Sequence, residues 1–121
     1  MRFLKSTEIT AYINAGKTVE ILGNCGDLID DKWPTITIYN LFKNNDEYVV
    51  GQIHCYLPDE PLEYYDYAYF DLVDPDCIMK DVFASKDPED AIKFVLNEKD
   101  VEEDTFLIFP KLNDHLTEKF G

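Results

Sequence analysis

Residues 35–57 read Thr35-Ile36-Thr37-Ile38-Tyr39-Asn40-Leu41-Phe42-Lys43-Asn44-Asn45-Asp46-Glu47-Tyr48-Val49-Val50-Gly51-Gln52-Ile53-His54-Cys55-Tyr56-Leu57. Two runs rich in β-branched and aromatic residues flank Lys43-Asn44-Asn45-Asp46, whose side chains favour a tight turn. The pattern predicts a β-hairpin, with strands over Thr35–Phe42 and Glu47–Leu57 and with Pro34 marking the start of the first. Side chains alternate across a strand, so each run sorts into two faces. Ile36, Ile38 and Phe42 match Val49, Ile53, Cys55 and Leu57 as a core face. Opposite them stand Thr35, Thr37, Tyr39 and Leu41, with Tyr48, Val50, Gln52, His54 and Tyr56.

Working outward, Pro58-Asp59-Glu60-Pro61 reads as a loop, and Tyr64–Val73 as a third strand that ends at Asp74-Pro75-Asp76. Ile78–Ala84 favours a fourth strand by its alternation. On the N-terminal side, Ser6 is the expected cap of a helix over Thr7–Ala15, with Gly16 at its stop. Thr18–Leu22 then reads as a short strand closed by the turn Gly23-Asn24-Cys25-Gly26-Asp27. On the C-terminal side, Asp87 is the expected cap of a helix with Pro88 at its first position and Ala91, Ile92, Val95 and Leu96 as its buried stripe. Thr105–Phe109 forms a last strand before Pro110, and Asn113–Phe120 a terminal helix. Consecutive strands on short loops are antiparallel, because parallel neighbours need long crossovers. The fold class is therefore α+β: one domain over residues 1–121, with an antiparallel meander sheet of four to six strands packed on one face by two or three helices.

The chain has 121 residues with 25 Asp+Glu, 11 Lys+Arg and a net charge of -14, and 45% of it is hydrophobic. That length suits one domain, and that apolar content suits a folded core. The acidity excludes sequence-independent binding to nucleic acid or anionic membrane, since phosphates are held by Lys and Arg. Lys5 and Glu8 interrupt any apolar run at the start, so a cytoplasmic location is expected. Cys25, Cys55 and Cys77 are an odd, widely spaced set and give no disulfide or zinc framework. Cys55 reads as core and Cys25 as exposed in its turn. Cys25 with His54 or His115 would supply the residue types of a nucleophilic site, but no local motif surrounds them. Asp27, Asp30 and Asp31, and Asp74 with Asp76, lack the spacing of a calcium loop. No catalytic residue, metal or cofactor is assigned.

Charge is uneven. Nine acids and no Lys or Arg fall between Asn44 and Met79. In the same region Tyr39, Tyr48, Tyr56, Tyr65, Tyr67 and Tyr69 are expected to share one sheet face with His54 and Gln52. Tyrosine gives large amphipathic contact area at low entropic cost, and acids steer a basic partner. The expected partner-binding set is His54, Tyr56, Asp59, Glu60, Glu63, Tyr65, Asp66, Tyr67, Tyr69 and Asp71. The competing expectation is a helix laid over this face, which would make the tyrosines a second core layer.

In size, acidity and fold class, over its whole length, the chain resembles bacterial immunity proteins, cytosolic inhibitors that neutralise toxins delivered by neighbouring cells. The resemblance implies a basic toxin domain, of the nuclease type, as partner. Asp59, Glu60, Glu63, Asp66 and Asp71 would then meet its Lys/Arg-rich cleft, with Tyr56, Tyr65, Tyr67 and Tyr69 as anchors. Two other readings stay open: a DNA-mimic inhibitor of a nucleic-acid-binding enzyme, with acids in phosphate-like rows, and a small enzyme or ligand-binding domain, with a pocket holding Cys25 or His54.

Overall fold

The computed structural model describes residues 2–121. Helix α1 (Ser6–Asn14) leads into strands β1 (Val19–Ile29), β2 (Trp33–Asn44) and β3 (Glu47–Tyr56). A 3₁₀ turn at Tyr67–Tyr69 precedes β4 (Lys80–Ser85), helix α2 (Pro88–Leu96), β5 (Leu107–Ile108) and helix α3 (Lys111–Phe120). The five strands form one antiparallel sheet in the order β4-β3-β2-β1-β5. It is a single α+β domain whose first four strands run as a meander. No described helix is long and apolar enough to cross a membrane.

The decisive hairpin stands as expected, with ten paired positions from Thr35↔Tyr56 to Asn44↔Glu47. Asn45 carries the positive φ its turn requires. Helix α2 also follows its local code: the Asp87 carboxylate accepts from the Glu89 N–H at 3.0 Å, and Pro88 stands in its first turn. Helix α1 begins one residue early, at Ser6, and is capped differently. The Glu8 carboxylate reaches back to the Lys5 N–H at 3.1 Å while pairing with the Arg2 guanidinium. These contacts hold the Glu8 carboxyl down at about 2.

Both faces of the sheet are covered. Val19, Ile21, Tyr39, Leu41, Tyr48 and Val50 pack under Ile9 and Ile13 of α1 and Ala91 and Val95 of α2. Leu22, Ile36, Ile38, Ile53 and Cys55 pack on the other side against Leu112 and Leu116 of α3. This overturns the gathered tyrosine face. Tyr39 and Tyr48 are buried beneath helices, the second core layer that was the competing expectation.

Two expected elements are absent for identifiable reasons. The Gly23–Asp27 turn is instead the bulged middle of β1, which runs on to Ile29. Bulges between Leu22 and Cys25, and between Cys25 and Asp27, absorb the extra residues, and Gly26 supplies a φ of +98°. Cys25 therefore sits half-buried in a strand, not exposed in a turn. The reversal falls at Asp30-Asp31, both with φ near +55°, closed by the Lys32 N–H to the Ile29 carbonyl. Both residues stand in the left-handed region, which Asp enters because its side chain is short and polar. The expected third strand, Tyr64–Val73, is a loop containing the 3₁₀ turn, and only Leu72 bridges to β3, at Cys55.

Glycine at position 31 would hold that φ without a Cβ penalty. Asp31→Gly is expected to raise stability by about 1 kcal/mol, offset in part by unfolded-chain entropy. Urea unfolding midpoints of the two proteins check this.

Candidate functional site

The chain between Leu57 and Val73 has no ladder of its own, so its position depends on particular bonds to the rest of the domain. At one end, the Leu57 N–H donates to the Pro34 carbonyl. At the other, the Tyr56 N–H donates to the Asp71 carbonyl at 2.8 Å and the Val73 N–H to the His54 carbonyl at 3.1 Å. Between these ends helix α3 supplies the partners. Thr117 Oγ1 accepts from the Tyr65 N–H at 2.9 Å, and Asn113 Oδ1 accepts from the Tyr67 N–H at 3.1 Å. Asn113 Nδ2 donates to Asp66 Oδ1, which also caps the 3₁₀ turn by accepting from the Ala68 N–H. Below the loop, the Tyr67 hydroxyl donates to Glu20 Oε2 on β1.

These bonds decide which side chains face inward. Tyr65 is buried, with its hydroxyl on the Phe120 carbonyl and its ring edge-on to Phe70. Tyr67 is half-buried over Glu20. Tyr65 is thus enclosed and not free to anchor a partner, and Tyr67 is turned toward Glu20, away from the sheet face expected for both. Strand alternation had placed Tyr65, Tyr67 and Tyr69 on one face, but alternation has no meaning in a segment that is not a strand.

Outward, the loop and the start of β2 enclose a cleft of about 550 Å³. Its aromatic walls are Trp33, Tyr56, Tyr64, Tyr69 and Phe70, and its aliphatic lining includes Leu57 and Leu62. Asp59, Asp66 and Asp71 are the ionisable acids of the lining, which includes no Lys, Arg or His among the described residues. Trp33 is 48% exposed, Tyr64 54% and Tyr69 86%, an unusual outlay of aromatic surface on one rim. The faces of Trp and Tyr carry negative electrostatic potential, and three carboxylates stand beside them. Such a cleft attracts cations, and guanidinium or ammonium groups with apolar stems match both kinds of wall.

Of the expected partner-binding set, Tyr56, Asp59, Asp66, Tyr69 and Asp71 meet at this cleft. Glu60 lies in a shallower depression beside it, with Pro61 and Phe120. Glu63 is exposed on the same loop and His54 is exposed on β3, both outside the lining. Trp33, Leu62, Tyr64 and Phe70 were missed. The one tryptophan of the chain, next to a proline at a strand start, was the available signal for Trp33.

The thiols of Cys25 and Cys55 lie in environments that suppress reactivity. Burial raises the Cys25 thiol pKa and pushes that of Cys55 up to about 12, whereas a nucleophilic cysteine needs the opposite shift. No described group of three or more His, Cys, Asp or Glu side chains is arranged to hold a metal ion. Comparison with protein-family models, curated proteins and solved structures finds no match to the chain.

Glu20, beneath the loop, is fully buried, and desolvation pushes its carboxyl up to about 7 from an ordinary 4.5. A carboxyl raised in the folded state ionises first in the unfolded chain. Its contribution to stability is therefore intact below about pH 4.5 and is lost as pH rises toward 7, by about 3 kcal/mol in all. Glu20→Gln keeps an acceptor for Tyr67 and removes this loss. The variant is expected to gain on wild type by that order between pH 4 and pH 8 in denaturant unfolding. A stability difference that stays constant with pH would contradict the assignment.

Proposed function

We propose that this chain is a small acidic binding protein that neutralises a basic protein partner, in the manner of an immunity protein that blocks a nuclease-type toxin in the cytosol. The observation that carries the reading is the cleft. Exposed Trp33, Tyr64 and Tyr69 stand with Asp59, Asp66 and Asp71 around about 550 Å³, with no basic residue in the lining. A surface that served solubility alone would mix charges of both signs and keep its aromatics covered.

The mechanism divides between field and contact. The nine acids of residues 44–79 set up a negative field that speeds encounter with a basic surface, an effect that salt screens. On contact, an arginine or lysine of the partner enters the cleft, its stem against Leu62 and Phe70 and its charge among the carboxylates. Trp33, Tyr64 and Tyr69 are rigid amphipathic anchors of the kind that dominates binding energy in interfaces. A nuclease binds phosphates with the same basic side chains, so occupying them with carboxylates excludes its substrate.

The chain used as bait at low salt should retain a basic protein that high salt releases. With that partner, Tyr69→Ala and Asp71→Lys should each weaken binding by about 1–3 kcal/mol while circular dichroism stays unchanged. Trp33 reports the event directly, and its emission should shift on binding. Unchanged affinity in both folded variants would exclude the cleft.

A further inference from the structure

We infer that the domain carries a second site, separate from the cleft, which binds a primary ammonium group through Glu20, Asn40 and Tyr67. Glu20 and Asn40 are directly opposed in the β1–β2 ladder and project to the sheet face that α3 covers. Side chains so paired have Cβ atoms about 5 Å apart. Glu20 is 0% exposed and Asn40 6%. Each has an acceptor with no donor: Glu20 Oε1 and Asn40 Oδ1 are both buried without a hydrogen-bond partner. The amide nitrogen of Asn40 donates to Met79 Sδ at 3.5 Å, which leaves Oδ1 alone without a partner. A buried carboxylate needs a cation or a full set of donors. None of the four ion pairs among the described residues reaches Glu20.

A cavity of about 350 Å³ opens beside this pair, lined by Asn40 and Tyr67 and walled by Thr18, Phe42, Met79 and Phe109, with Glu20 behind the lining, bonded to Tyr67 and paired with Asn40. Its size lies at the small end of ligand sites, which run from about 300 to 1,000 Å³. An ammonium has three N–H donors. Glu20 Oε1, Asn40 Oδ1 and a lone pair of the Tyr67 hydroxyl are three acceptors, and the charge of the ligand would meet that of Glu20. The apolar walls of Phe42, Met79 and Phe109 suit a short alkyl or aryl body. A neutral amide or alcohol would bring fewer donors and leave the carboxylate uncompensated. The ligand is therefore a primary alkylammonium, either a free amine or a lysine side chain presented by a polypeptide. Without it, the pair can close in two ways: a protonated Glu20 donates to Asn40 Oδ1, or the Asn40 amide turns over so that Nδ2 donates to Glu20 Oε1.

The titratable groups acting on Glu20 are the Tyr67 hydroxyl and the Asp66 carboxylate, with no Lys, Arg or His among them. Since burial holds the Glu20 carboxyl at about 7, an ammonium must displace a proton below that pH. Affinity should thus rise about tenfold between pH 6 and pH 8. The test is an NMR titration of the full chain with n-butylammonium, and separately with N-acetyl-lysine-methylamide. It follows the Asn40 side-chain amide and the Glu20 carboxyl carbon, with n-butanol as control. Saturable shifts with n-butylammonium at millimolar concentration, stronger at pH 8 and absent with butanol, would support a free amine. Shifts with the lysine derivative alone would support a presented lysine. Phe109→Ala, at the exposed rim, should weaken either several-fold without touching the acceptors. No saturable shift with either probe at pH 8 would overturn the site.

Discussion

The hydrogen bond from the Tyr67 hydroxyl to Glu20 joins a segment that has no ladder of its own to the most buried part of the sheet. The rest of the candidate site depends on it and on the neighbouring bonds from Asn113 and Thr117. More than twenty residues separate β3 from β4, and loops of that length inside a compact domain are uncommon unless they have a task. Here the backbone groups of residues 65 and 67 are satisfied by α3 side chains, and the return through Asp71 and Val73 lies against the edge of β3. With its inner face so fixed, the loop can expose Tyr64 and Tyr69 without collapsing onto them.

The same arrangement explains why the acidic charge is concentrated there. Nine like charges in one region repel one another and cost stability, so a fold that keeps them needs compensation or a use. Compensation within the domain is slight: the ion pairs of Lys99 and Lys111 are with Asp27, Asp100 and Asp114, outside that region. The carboxylates around the cleft therefore keep a negative field that no ion pair among the described residues offsets. Below the loop the opposite regime holds, where burial makes a single carboxyl hold its proton and depend on its nearest neighbours.

Sequence reading recovered what local chemistry determines. The Thr35–Leu57 hairpin followed from alternation and a polar turn, and α2 from Asp87, Pro88 and its apolar stripe. It failed where distant residues decide. The glycines at 23 and 26 resemble a turn, but pairing with β2 draws them into a bulged strand and leaves the reversal to Asp30-Asp31. Tyr64–Val73 has the composition of a strand, yet Asp66 starts a 3₁₀ turn and Asn113 and Thr117, some fifty residues on, take its N–H groups. That one difference exchanges Tyr65 for Tyr64 at the surface. The acids were easier to place, since Asp59 and Asp71 remain exposed under either reading. Which sheet face α1 and α2 cover was not legible, because both faces of β2 and β3 are apolar enough to be buried.

The central claim is that basic side chains enter the cleft between Trp33 and the Tyr56–Asp71 segment. The most direct measurement is an amide-resolved NMR titration of the chain with a short arginine-rich peptide at low salt. The account predicts saturable shifts at the Trp33 indole and the amides of residues 56–71, weakened by added salt, with α1 and α2 silent. Shifts centred instead on the acidic run from Glu98 to Asp104, or spread evenly over all the acids, would contradict it.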